Sequence, residues 1–196
     1  MTELFFDTET SGLFPRNANP IDIDSFSKSR LVSIAWTLRD KKNIYSQHYY
    51  VVENEDKESE IGAEFIHGIS RGMVQKFGKN IADVLDAFIT DCNSADRLVA
   101  HNMEFDLKIL SSELYRLGLS EEVLLLNKKN KICTMKTTTE LCNIPGKWGK
   151  PKWPKLVELH KFLFDKEFEN AHHAQCDVDA TVNCFYRLME MDEIIF

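Results

Sequence analysis

The chain has 196 residues, 43% hydrophobic and 28% charged, with a formal net charge of −7. That is enough for one sizeable core and too little for two ordinary domains, so residues 1–196 are read as a single domain. No run approaches the roughly 18 consecutive apolar residues of a membrane span, and the N-terminus lacks a basic, signal-like stretch, which together predict a cytoplasmic protein with no membrane partner. Five cysteines without a CxxC pair argue against both a disulfide framework and a zinc site.

Leu4 to Thr8 is a short apolar run ending in acid, the pattern of a buried strand. A polar stretch from Phe14 to Arg30 with two prolines is loop by composition. Leu31–Leu38 and Asn43–Val52 are β-branched and aromatic runs separated by Arg39–Lys42, and predict a hairpin. From Asn80 to Cys92 the apolar residues Ile81, Val84, Leu85, Phe88 and Ile89 fall on one helical face, with Asn80 as N-cap. A strand follows at Arg97–Ala100, then a helix from about Met103 to Leu117 that Gly118 breaks. Lys131–Met135 reads as strand, with a short helix through Leu141. A Gly-, Lys- and Trp-rich loop precedes a helix over Leu156–Leu163, and the last helix spans about Ala174–Met189. Strands first, then strands alternating with helices, predict an α/β fold with a mixed sheet.

Three segments carry candidate chemistry. Asp7 and Glu9 stand two apart in a strand-like run and project from one face, where two like charges are stable only with a cation between them. A solvated strand end would give the same pattern. Asp106 lies in the first turn of the helix after Arg97–Ala100, at the sheet edge where α/β proteins place ligands, although a carboxylate there also complements the helix dipole. His101, just before that helix, reads as a hydrogen-bonding core histidine. In NAHHAQCDVDAT, Asp177 sits inside the last helix with His172 or His173 near its start, so a base and a metal ligand can reach one centre. Asp179 faces about 200° away and reads as solvated.

Taken together, FFDTETSGL, AHNMEFDLKIL and HHAQCDVDAT resemble the three motifs of the DEDDh exonucleases, the group that includes the proofreading subunit of bacterial replicative polymerases. The resemblance spans about residues 3 to 189. It implies a ribonuclease H-like fold, with a mixed sheet of about five strands and helices on both sides. It also implies two Mg²⁺ or Mn²⁺ ions on Asp7, Glu9, Asp106 and Asp177, with Asp7 bridging both. The family register, a histidine five residues before the last aspartate, selects His172 as general base.

FIHGIS resembles the family's HGI element, which implies that His67 and Ile69 line the pocket of the terminal nucleotide. The resemblance further implies that backbone amides around Thr8 to Thr10 bind the terminal sugar, that Asn102 is a substrate-binding residue, and that Leu13 wedges against the last base with Phe105 as an apolar wall, although the last two read equally as core residues. The segment from Cys133 to Phe164 is similar to a bacterial and phage subgroup of exonucleases and polymerase epsilon-like proteins.

The reaction so implied is metal-dependent 3′→5′ hydrolysis of single-stranded DNA to nucleoside 5′-monophosphates, with a DNA polymerase or repair partner. An exoribonuclease acting on RNA 3′ ends, and a catalytically silent polymerase-binding module, are the rival readings.

Charge distribution bears on the partner. Between Lys128 and Lys161 stand nine Lys against two acids, about +7, which leaves about −14 elsewhere. Trp148 and Trp153, interleaved with Lys147, Lys150, Lys152 and Lys155, have the composition of a surface on which bases stack and lysines meet phosphates, although Trp153 reads equally as packed under the following helix.

Overall fold

The computed structural model describes residues 1–53 and 62–192. Its frame is a strand β1, Glu3–Thr10, that alternates between two cores. Leu4 and Phe6 point to one side of the sheet and Phe5 to the other, as the two-residue period of a strand requires. β2 (Leu31–Arg39) and β3 (Ile44–Glu53) form the predicted hairpin. Asp40 closes its turn by accepting from the backbone N–H groups of Lys42 and Asn43, each at 2.7 Å, the usual service of an Asx residue in a tight connection.

Two short helices follow, α1 (Glu64–His67) and α2 (Arg71–Phe77), then the two-residue strand β4 (Lys79–Asn80). The helix α3 (Ile81–Ser94) starts where Asn80 accepts from Ala82 N–H at 2.8 Å, the predicted N-cap. β5 (Arg97–Ala100), α4 (Met103–Arg116), α5 (Ser120–Lys128) and β6 (Asn130–Cys133) continue the alternation. The chain ends in α6 (Thr134–Thr137), α7 (Thr139–Cys142), α8 (Leu156–Phe164) and α9 (Ala174–Glu190).

The sheet order is β4-β3-β2-β1-β5-β6. The hairpin neighbours pair antiparallel, and β5 and β6 add parallel to β1. It is the expected mixed sheet, with β4 as a sixth strand too short for any sequence period to reveal. α3, α4 and α5 cover one face through Phe88, Leu110 and Leu126, and α9 covers the other through Val178, Val182 and Phe185. Each Phe-sized side chain buried this way contributes about 1.5–3 kcal/mol, and both layers converge on β1. None of the helices among the described residues is long and apolar enough to cross a membrane. Cys92 and Cys184 are buried and the other three cysteines half-buried, all as free thiols.

The long loop after Thr10 is anchored rather than loose. Phe26 is fully buried, Phe14 stacks on Phe105 of α4 at 5.1 Å, and Arg30 grips the buried Glu113 of α4 through two bonds of 2.8 and 3.1 Å. The loop therefore braces α4 against the end of β1. Gly62 sits so close to the Ser11 carbonyl that a Cβ could not be accommodated there, which brings the segment leading into α1 against the same strand end.

Candidate active site

Strand alternation puts Asp7 and Glu9 on the face of β1 that carries Phe5, toward α9, while Thr8 points toward α4. The register with β2 shifts between Glu9 and Thr10, a local irregularity of the kind found where a strand end must aim a side chain. Asp106, in the first turn of α4, is only 3% exposed. It accepts from the Thr8 backbone N–H at 3.0 Å and the Thr8 hydroxyl at 2.7 Å. Asp177 enters from the first turn of α9 and accepts from the backbone N–H of His172 at 2.9 Å. His172 itself has φ of +70°, a left-handed turn just before the helix, and is exposed. Ligand atoms of Glu9, His172 and Asp177 lie within 4.8 Å of one another.

The electrostatics record how tightly these groups are gathered. Burial raises the Asp7 carboxyl well above the ordinary range, and the charges of Asp106, Asp177 and Glu9 raise it further. Burial, then Asp177 and Asp106, push Glu9 up to about 8. Burial also raises Asp106 and Asp177, each to about 7, against the bonds from Thr8 and from His172 that favour their ionised forms. Four gathered acids whose ionisation is disfavoured by burial, and for Asp7, Glu9 and Asp106 also by neighbouring acids, are stabilised as carboxylates by positive charge placed between them. Hard oxygen donors at this density fit a divalent ion such as Mg²⁺ or Mn²⁺.

Asp7, Glu9, Asp106, Asp177 and His172, predicted from separate stretches of sequence, are thus gathered at the end of β1. The two histidines differ in placement: His172 is exposed, whereas His173 stacks on Tyr49 at 4.7 Å and occupies the N-cap position of α9. His101 is held in the core by Thr134 at 3.0 Å and the Pro154 carbonyl at 2.9 Å, and burial takes it down to about 4. Asp179 is exposed and faces Gln47 and Gln175.

Leu13, Asn102 and Phe105 come together along one cleft of about 330 Å³, with Leu13 81% exposed. Trp153 lines the same cleft and is 55% exposed, so it is not packed beneath α8.

Other expected substrate residues have structural duties. The Thr8 N–H and hydroxyl are both spent on Asp106, so Thr8 positions a carboxylate rather than presenting free donors to a sugar. The Thr10 hydroxyl donates to the Gly12 carbonyl at 2.8 Å. His67 is buried, with Nε2 3.0 Å from the Gly62 carbonyl and Nδ1 accepting from Ile69 N–H at 3.0 Å. Ile69 joins a small core with Val32 and Val51. These two residues shape the segment beside Ser11 from within. Lys152 is paired with Glu158 through bonds of 2.6 and 2.7 Å, whereas Trp148 is 95% exposed at the tip of its loop.

Sequence reasoning missed the Thr8–Asp106 link, which joins residues 98 apart, and Tyr49. The row Asp7, Ala35, Tyr49 across three strands would have exposed Tyr49 had the register been known.

Carboxylates from one central strand and two flanking helices are thus gathered at the end of a mixed sheet of this order. The sequence profile of the RNase T-type exonuclease family matches residues 4–185, and the chain belongs to that family. Curated relatives include the DNA polymerase III subunit epsilon of Rickettsia felis, 31% identical over 137 residues, which cover 69% of this chain and 53% of that protein. The epsilon subunit of Rickettsia conorii is 27% identical over 191 residues, covering 96% and 74%. This chain therefore spans between about half and three quarters of those relatives.

Among solved structures, Escherichia coli exonuclease I in complex with a dT13 oligonucleotide superposes with a TM-score of 0.70 at 18% identity, over 96% of this chain and 41% of that one. Exonuclease X in complex with 5′ overhanging duplex DNA superposes at 0.57 with 20% identity, over 97% and 93%. At these identities the likeness shows the shared fold.

Proposed function

We propose that the chain is a metal-dependent 3′→5′ exonuclease that shortens single-stranded DNA and releases nucleoside 5′-monophosphates. The observation that carries this reading is the convergence of Asp7, Glu9, Asp106 and Asp177 with an exposed His172 at one strand end. In this reading Asp7, Glu9, Asp106 and Asp177 would together hold two divalent ions, Mg²⁺ or Mn²⁺. When bound, such ions supply the positive charge that offsets the carboxylates and the charge developing on the phosphate and the leaving 3′ oxygen.

The protein's own groups do the remainder. His172 takes the proton of the attacking water; its place at the solvent-facing rim suits a group that must exchange that proton afterwards. Thr8 holds Asp106 at its post, and the His172 backbone holds Asp177, so the turn that presents the base also orients a ligand. Leu13 and Phe105 form the apolar side of the cleft in which the last nucleotide is read by shape rather than by base identity. DNA is favoured over RNA because a solved neighbour of this fold is bound to a dT13 oligonucleotide. A polymerase partner is proposed from the epsilon-subunit relatives.

The test is product analysis of matched DNA and RNA single strands incubated with Mg²⁺. Release of nucleoside 5′-monophosphates, faster from DNA, is expected. Internal cleavage to oligonucleotides, or no release from either strand with Mg²⁺ or Mn²⁺, would overturn the proposal.

A further inference from the structure

We infer that the substrate strand runs from the cleft of Leu13 and Phe105 along the outer face of α4, gripped at the far side of that cleft by Trp153 and by Lys108 and Lys136. The inference rests on the exonuclease reading for the direction of the strand, and on the surface for its path. The cleft that begins at Leu13 and Phe105 has Trp153 and Lys136 on its far side, with Arg16 and Lys108 along it. A second depression of about 500 Å³ shares Glu104, Lys108 and Lys136 with the first and runs on to Lys131 and Tyr115. The two hollows share those three residues and so form one track that starts at the cleft of Leu13 and Phe105, the residue before Asp106 in sequence.

Several features of that track suit a single strand. Trp153 presents an open ring although its neighbour Pro154 is buried and pinned by His101, so the ring is held out on a fixed backbone. Such a ring stacks any base, which gives affinity without sequence preference. Lys136 Nζ lies over one face of the Trp153 ring, 6.0 Å from its centre, which leaves the other face for a base and puts a cation close to the same ring. The track is cationic on a chain whose net charge is −7, and Glu104 is the one acid along either hollow. Glu104 now engages both cations, Lys108 at 3.2 Å and Lys136 at 3.1 Å, and thereby holds the two lysines at the junction until phosphates compete for them. The charge, and a start at the cleft proposed for the last nucleotide, favour nucleic acid over a protein segment as occupant.

Fluorescence anisotropy with 5′-labelled thymidylate oligomers of about two to twelve nucleotides, in Ca²⁺ to limit turnover, tests the path. In the wild type, affinity should climb with length beyond the few nucleotides that the carboxylate centre can hold. Trp153→Ala should lower affinity for the longest oligomer by roughly 5- to 100-fold and flatten the length dependence. Trp153→Phe, which keeps a ring and protects against simple misfolding, should restore most of it. Lys136→Gln should reduce the slope of log affinity against log salt by about 0.7, and Glu104→Gln should tighten binding by freeing two lysines.

Length dependence that is absent in the wild type, or that runs parallel in wild type and Trp153→Ala, would overturn the path. So would poly-glutamate competing as well as the oligomer, which would mark a peptide surface. Hydrolysis is measured separately in Mg²⁺: its absence would sink the exonuclease reading, while the anisotropy series would still decide the track.

Discussion

Replacing Thr8 with Val removes a single hydroxyl while keeping the shape of a buried side chain, and it should weaken metal binding at a site that Thr8 never touches. The hydroxyl donates to Asp106 at 2.7 Å, where burial has already raised the carboxyl to about 7 and the bonds from Thr8 hold it down. A hydrogen bond to a charged group is worth about 1.5–3 kcal/mol. At about 1.4 kcal/mol per pH unit, its loss should move the Asp106 ionisation up by about one to two units.

Near neutral pH the carboxylate would then be mostly protonated, and a divalent ion would have to displace that proton. Loss of partners that orient metal ligands typically costs 10–100-fold in affinity, and that range is expected here. Calorimetric titration with Mn²⁺ at about pH 6.5 and pH 8.5 reads the effect directly, and the deficit should shrink at the higher pH. Equal affinity in variant and wild type at both values would refute the role assigned to Thr8.

Three further outcomes are expected. Because Glu9 at about 8 and Asp106 and Asp177 at about 7 lie above ordinary carboxylates, the folded chain keeps protons that the unfolded chain releases, so this stabilisation is complete below about pH 4 and lost as pH rises through 7 to 8. Melting in EDTA should therefore drop between pH 5 and 8.5, with millimolar Mg²⁺ or Mn²⁺ opposing the drop; a melting temperature that rises over that range would contradict the site's electrostatics. Initial rates should fall by about 10²–10⁴ in His172→Ala, the range for a general base, but by less than about tenfold in His173→Phe, which preserves the stack on Tyr49. Glu113→Gln, at a site 1% exposed, leaves Arg30 with a broken buried pair and should cost about 3–5 kcal/mol in urea unfolding.

The parts of the fold that sequence revealed are those with a strong local period. β1 alternates, the hairpin strands are β-branched and aromatic around a polar turn, and α3 and α9 carry apolar residues at helical spacing. The five proposed catalytic residues were legible for a different reason: carboxylates two apart on a strand, at a helix start, and five after a histidine are recognisable only as a set.

What escaped were features fixed by distant partners. α5 follows Gly118 too closely to separate from the break in α4, β4 has two residues, and α2 buries none of its side chains. Sequence could not show that the His67 ring bonds Gly62 and Ile69, or that Lys152 pairs with Glu158. The loop after Thr10 reads as irregular, yet Phe26, Phe14 and Arg30 make it a brace for α4 through contacts up to 91 residues away in sequence (Phe14 to Phe105).

The most direct measurement is the degradation of a 5′-labelled single-stranded DNA in Mg²⁺, in Mn²⁺ and in EDTA, by wild type and by Asp7→Asn and Asp177→Asn. A ladder that shortens stepwise from the 3′ end with either metal, and vanishes in EDTA and in both variants, is the predicted result. Shortening that persists in EDTA or in both variants, or labelled mononucleotide appearing first from the 5′ end, would contradict a carboxylate-held metal centre acting on 3′ termini.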